Sequence, residues 1–158
     1  MKLTDFISRK AILASLKSAD KRGVIIELVA ALKKAYPDEK IAPAELINGV
    51  MEREESVGST GLHGGVAIPH AKIGALKELR GAFGRSHRPV DFRAVDGEPS
   101  YLFFLVVSPP AKGEAYLEAL KTISLAIKTT HFCKFLRAAK NAREIEGILR
   151  EVEEGAKV

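Results

Sequence analysis

The chain has 158 residues, 46% of them hydrophobic and 28% charged, which fits one globular domain with a sizeable core rather than a disordered or fibrous chain. The net charge of +5 comes from 25 basic and 20 acidic residues spread along the chain; with no tryptophan and 6% aromatics, this argues against a nucleic-acid stacking surface. The N-terminus MKLTDFISRK carries no apolar leader and no run reaches the roughly 18 apolar residues of a membrane span. The lone Cys133 excludes an internal disulfide framework and points to a reducing, cytoplasmic setting.

Taken in chain order, Ile12-Leu13-Ala14-Ser15-Leu16 reads as a short edge strand. Asp20 reads as an N-cap before a helix whose apolar face is Ile25, Leu28, Val29 and Leu32, ending before Pro37. Pro43 suits the first position of a second helix, with Leu46, Ile47, Val50 and Met51 on its apolar face. A glycine-rich loop, Gly58 to Gly65, leads into a short strand, Val66-Ala67-Ile68, that stops at Pro69. Leu79 to Ser86 alternates loosely and reads as a strand, Val90-Asp91-Phe92 as a separate extended piece, and Asp96-Gly97 as a turn. Tyr101 to Val107 is apolar throughout, as a central strand covered on both faces requires.

The last third is helical. Tyr116, Leu120, Ile123 and Ile127 form one stripe. Thr130 is placed to cap a short helix bearing Phe132, Phe135 and Leu136. Asn141 with Glu144 forms a capping pattern before Ile145, Ile148, Leu149 and Val152. Helices, then strands, then helices predict a single α/β domain over residues 1–158, a mixed central β-sheet flanked by helices on both faces.

The stretch GSTGLHGGVAIPHAK, Gly58 to Lys72, carries the chemistry. Pro69 fixes its own φ and restricts Ile68 to extended geometry, so the backbone enters His70 stiffly. Ser59, Thr60 and the loop glycines offer hydroxyls and free N–H groups, the donors a phosphate needs. A neutral histidine can act as a nucleophile. On these residues alone, a phosphoryl group visiting His70 and a turn histidine satisfied by hydrogen bonds both fit. Walker-type G-x-x-x-x-G-K-[ST] spacing is absent, so no nucleotide site is read. His63 and His70 lack metal-site spacing, and neither a metal nor a cofactor is expected. His63 reads as solvent-facing, His87 as an exposed turn residue in a basic stretch with Arg85 and Arg88, His131 as a first-turn residue of its helix, and Cys133 as core.

GSTGLHGGVAIPHAK resembles the active-site signature of the type-2 IIA domains (fructose/mannitol type) of the bacterial phosphoenolpyruvate-dependent phosphotransferase system. LTDFIS, VDFRAVDGEP, YLFFLVVSPP and FCKFLRAAKNAREIEGIL are similar to segments of those domains, so the resemblance covers nearly the whole chain. It implies that His70 accepts phosphate from a histidine phosphocarrier protein, with Ser59, Thr60 and Gly61 beside it. The family arginine upstream of GSTG falls on Arg53, one residue further from Gly58 than usual, which puts Glu54 at the customary place. Where members often carry a second histidine, ahead of an L-x-x-L pattern, this chain has Tyr116 before Leu117-Glu118-Ala119-Leu120; core packing and a hydroxyl hydrogen bond toward the site are both open to it. An open surface with apolar residues around His70, rather than a deep cleft, is expected for docking. Two partners are implied downstream: a IIB-type sugar-transport domain that receives the phosphoryl group, or a regulatory target that reads it. GSTG, the single-domain length and a chain ending at Val158 without a IIB segment resemble the nitrogen-regulatory branch and favour the second.

Overall fold

A computed structural model describes residues 1–155 of the chain. Its sheet has five strands. β1 (Ile7–Leu13) lies at one edge, parallel to β4 (Arg80–Val90), which runs antiparallel to β5 (Ser100–Ser108). Beyond β5 come β2 (Val66–Ala67) and β3 (His70–Lys72), both parallel to it. The sheet is therefore mixed and β5, the all-apolar run, sits inside it.

Helices cover both faces. α2 (Lys21–Ala35) and α3 (Pro43–Ser56) pack on one, burying Val24, Ile25, Leu28, Leu46 and Val50 against Ala67, Phe103 and Leu105. The other face carries α1 (Leu3–Phe6), α4 (Gly113–Lys128), α5 (Phe132–Ala138) and α6 (Ala142–Gly155) over Val66, Phe83, Phe104 and Val106. Even and odd positions of β5 thus feed two separate cores. Each fully buried Leu, Ile or Phe contributes roughly 1.5–3 kcal/mol of burial, so a polar residue on either stripe stands out.

The caps follow the sequence where a side chain dictates them. Asp20 accepts from the Gly23 N–H at the start of α2. Asn141 accepts from Glu144 N–H, and the Glu144 carboxylate accepts from Lys140 N–H.

Several expectations are corrected. The edge strand is Ile7–Leu13, not residues 12–16: Ser8, Arg9 and Lys10 interrupt its apolar pattern because an edge strand keeps one side in water. One continuous β4 replaces the two pieces read at 79–86 and 90–92, its register shifting between Arg85 and Val90 around the exposed residues 87–89. His87 is therefore an exposed strand residue, its Nε2 3.2 Å from Ser15 Oγ, rather than a turn residue. α5 is capped not by Thr130 but by His131, held in the left-handed region at φ 67° with no side-chain cap bond. Phe132 and Leu136 are buried beneath α5, while Phe135 is exposed.

Arg85 departs furthest from its reading. It is 1% exposed, in the sheet interior rather than a solvated basic stretch. Its guanidinium donates to the carbonyls of Ala14, Leu136, Arg137 and Ala139. Three of these lie at the C-terminal end of α5, where the helix dipole favours a cation.

Candidate functional site

Val66 pairs with Leu102 and His70 with Val106, so the register carries through Ile68-Pro69 unbroken. Proline has no N–H to donate. The Pro69 carbonyl still accepts from Val106 N–H, and the interruption is confined to Ile68-Pro69. His70 therefore opens β3 instead of closing the strand before it. Val66 and Ile68 pack into the core beneath α4, so alternation puts His70 and Lys72 on that side. Because β3 is at the sheet edge, His70 can be reached from both helical layers.

From α3, Arg53 reaches round this edge. Its Nε donates to His70 Nε2 at 2.9 Å, and its Nη1 donates to the Gly58 carbonyl at 2.9 Å. On the far side of the ring, His70 Nδ1 lies 2.6 Å from the Ile68 carbonyl oxygen. A carbonyl can only accept, so the proton is on Nδ1 and the lone pair on Nε2. Arg53 donating to Nε2 requires the same tautomer. Burial lowers the His70 pKa below its ordinary 6.5, opposed by the Ile68 carbonyl, assisted by the Arg53 charge and opposed by Glu54. The ring is neutral at pH 7, with a lone pair held in a set direction.

From α4, Tyr116 meets the same ring. The ring centroids are 5.6 Å apart at 64°, an edge contact. Tyr116 is 7% exposed, and burial pushes its hydroxyl up to about 12. No hydrogen bond among the described residues joins that hydroxyl to His70; the contact is through the ring. Lys72 Nζ stands 5.4 Å from the Tyr116 ring centroid. Arg53, Ser56, Val57, Lys72 and Tyr116 line a shallow cleft of about 440 Å³, in which the 71%-exposed Val57 is apolar and the rest mixed.

The loop residues serve the loop. Ser59 Oγ donates to the Phe92 carbonyl and accepts from Gly61 N–H. Thr60 N–H donates to both oxygens of the Glu54 carboxylate, at 3.2 and 3.0 Å, and its carbonyl accepts from Ile68 N–H. The buried Thr60 Oγ1 has no hydrogen-bond partner among the described residues. Gly61 bridges to Ala67, and a Cβ there would fall 2.8 Å from Ala94 Cα, so glycine is required by close approach. Of the residues singled out in the sequence, Arg53, His70 and Tyr116 come together as side chains, while Ser59 and Gly61 brace the loop alongside. His63 is exposed and 3.5 Å from Asp96. Cys133 is half-buried against the core, and burial raises its thiol pKa.

The sequence marks Glu54 only as standing at the customary place of the family arginine and assigns it no part in holding the loop. Its side chain is fully buried and pairs with Lys21 Nζ at 2.8 Å. Leu46, Val50 and Glu54 fall four residues apart on one stripe of α3, so a carboxylate continuing a buried face was the available signal. Lys21, the first residue of α2, gave none.

The family model for the phosphoenolpyruvate-dependent sugar phosphotransferase system, EIIA 2, matches residues 5–152. The chain belongs to this family. It is 35% identical over 149 residues to the nitrogen regulatory protein of Bradyrhizobium diazoefficiens, covering 94% of this chain and 95% of that one. It is 32% identical to the fructose-specific EIIABC component of Bacillus subtilis over 96% of this chain but 23% of that longer protein. Among solved structures, the nitrogen regulatory protein IIA-Ntr of Neisseria meningitidis superposes with a TM-score of 0.85 at 28% identity, covering 93% of this chain and 98% of that one. As an EIIA-type protein of the phosphotransferase system, it has the mixed sheet and two helical layers of those neighbours. No helix among the described residues is long and apolar enough to cross a membrane.

Proposed function

We propose that this protein is a cytoplasmic phosphohistidine carrier in which His70 Nε2 accepts a phosphoryl group from a histidine phosphocarrier protein. The observation that carries this reading is the fixed tautomer: Nδ1–H is bonded to the Ile68 carbonyl and the Nε2 lone pair faces Arg53. Phosphoryl transfer asks a protein for positioning and charge rather than covalent ingenuity. The new Nε2–P bond forms in line as the donor's P–N bond breaks. The donor ring leaves with the bonding pair, as neutral imidazole when its other nitrogen is protonated. Positive charge developing on the His70 ring spreads to Nδ1–H and is stabilised by the hydrogen bond that Nδ1–H donates to the Ile68 carbonyl. The Arg53 guanidinium, released from Nε2 as the lone pair is used, turns to the phosphoryl oxygens. Ser59 and Gly61 keep the loop in shape, and Thr60 ties it to Glu54 through its N–H. Tyr116 supplies a wall to the histidine ring.

The phosphoryl group then serves as a signal. About two added negative charges on an open surface that holds Arg53 and Lys72 change which partner surface it accepts. The likeness to nitrogen regulatory proteins over nearly the whole chain favours this use. Relay to a IIB domain is the second reading, favoured by the match to a fructose-specific component. Incubation with phosphoenolpyruvate and the general phosphocarrier proteins, followed by intact-mass measurement, tests the acceptor. Wild type gains one acid-labile phosphate and His70→Ala gains none; equal gain by both overturns the assignment. Candidate IIB domains are then added. Phosphate that stays on this protein supports signalling, and phosphate that leaves supports relay.

A further inference from the structure

We propose that Lys21, through its buried ion pair with Glu54, is a positioning residue for phosphoryl transfer at His70; this rests on His70 being the acceptor. Three consecutive loop residues are each held by a distant side chain or backbone. The Gly58 carbonyl accepts from Arg53 Nη1, Ser59 Oγ donates to the Phe92 carbonyl, and Thr60 N–H donates to Glu54. Arg53 and Glu54 are neighbours on α3, so they grip the loop at Gly58 and at Thr60. The same Arg53 guanidinium presents Nε to His70 Nε2 at 2.9 Å. Its aim is set by where the Gly58 carbonyl stands, and the Gly58 carbonyl is set by a loop anchored on Glu54.

Glu54 has 0% side-chain exposure and cannot keep a charge there unaided. Lys21 Nζ, 2.8 Å from Oε1, is its near cation; Arg53 Nη1 is 4.0 Å from Oε2 and already bonded to Gly58. Lys21 is itself fixed, with Nζ 4.7 Å from the Phe92 ring centroid, on the residue whose carbonyl takes the Ser59 hydroxyl. Remove the ammonium and Arg53, with Nη1 4.0 Å from Oε2, is the cation left within ion-pair range of Glu54 among the described residues. Drawing Arg53 toward Glu54 takes Nε away from His70. The Lys21 charge therefore leaves Arg53 free for the histidine and, later, for the phosphoryl group.

The test compares Lys21→Met, Lys21→Arg and the double variant Lys21→Met with Glu54→Gln. Single-turnover transfer from the phosphorylated phosphocarrier protein is measured against its concentration, with circular dichroism confirming the fold. The Arg53 Nε–H resonance is followed by NMR. In Lys21→Met the saturating rate falls about tenfold or more while half-saturation is unchanged, as for a misplaced catalytic group. The Arg53 Nε–H signal shifts from its hydrogen-bonded position. Lys21→Arg restores both. The double variant recovers part of the rate, because a neutral amide oxygen still accepts from Thr60 N–H and no longer attracts Arg53. A wild-type saturating rate in Lys21→Met overturns the proposal. So does an equal loss in all three variants with the Arg53 signal unmoved, which marks a purely structural pair. If Lys21→Met does not fold, Lys21→Arg and the double variant decide: a folded double variant as slow as an Arg53-less protein overturns it. Absence of transfer to wild type itself overturns the acceptor assignment instead.

Discussion

Arg53 Nε stands 2.9 Å from His70 Nε2, donating into the lone pair that phosphoryl transfer needs. Together with burial the contact favours the neutral ring, it matches the tautomer set by the Ile68 carbonyl, and in the proposed transfer it puts a cation beside the incoming phosphoryl oxygens. Arg53→Met removes both effects. Transfer to His70 slows about 100-fold, the scale of losing one oriented donor to a developing anion. The His70 pKa rises, because the Arg53 charge is one of the causes holding it down. Stopped-flow transfer and an NMR titration of the ring check the two halves; an unchanged pKa contradicts the electrostatic half.

The pH dependence follows from the same depressed pKa. Nε2 is available when the ring is neutral, so transfer is full above the folded pKa and is lost as pH falls through it, below 6.5. The sign for stability is the same. The unfolded histidine protonates first, so stability is fully present above about 6.5 and declines as pH falls from there to the folded pKa. Single-turnover rates against pH show one acid limb below 6.5, and Arg53→Met moves that limb to higher pH.

Tyr116 separates ring from hydroxyl. Tyr116→Phe keeps the edge contact with His70, and transfer stays within roughly threefold of wild type. Tyr116→Ala leaves a void beneath α4, destabilises by about 3 kcal/mol, and frees the histidine ring. Equal rate losses in the two variants would assign the role to the hydroxyl instead.

Much of this was legible in the chain, for identifiable reasons. β5 and the helices α2, α3, α4 and α6 follow apolar runs or stripes, with side-chain caps at α2 and α6 and Pro43 opening α3. Pro69 and the loop glycines mark His70 as stiffly held, but on those residues alone a turn histidine fits as well, and its reading as phosphoryl acceptor comes from the family resemblance. Arg53 looked one residue too far from Gly58. The extra residue is absorbed where α3 ends: Val57 N–H donates to the Arg53 carbonyl, and Gly58 turns back at φ 121°, which returns its own carbonyl to the guanidinium. That reversal is a tertiary event and leaves no periodicity. Ser59 and Gly61 suggested phosphate donors because hydroxyls and glycines look alike in ligand loops and in braced ones. Arg85 was invisible because its partners are backbone carbonyls of α5 and of the segment after β1, which no side-chain pattern records.

Arg85 accordingly makes a stability prediction distinct from the site. Arg85→Met leaves the carbonyls of Leu136 and Ala139 buried without their donor. The loss is about 3 kcal/mol, and at this chain length the melting temperature drops by roughly 10 °C. Calorimetry measures it. A variant as stable as wild type would show that water or a shifted α5 replaces the guanidinium.

In the proposed transfer His70 Nε2 takes the phosphoryl group while Nδ1–H keeps its hydrogen bond to the Ile68 carbonyl. The most direct measurement is NMR of the phosphorylated protein with 15N-labelled histidine, reading which ring nitrogen couples to phosphorus. Coupling is expected at Nε2 of His70, with a proton retained on Nδ1. Coupling at Nδ1, or a phosphoryl group on any other residue, contradicts it.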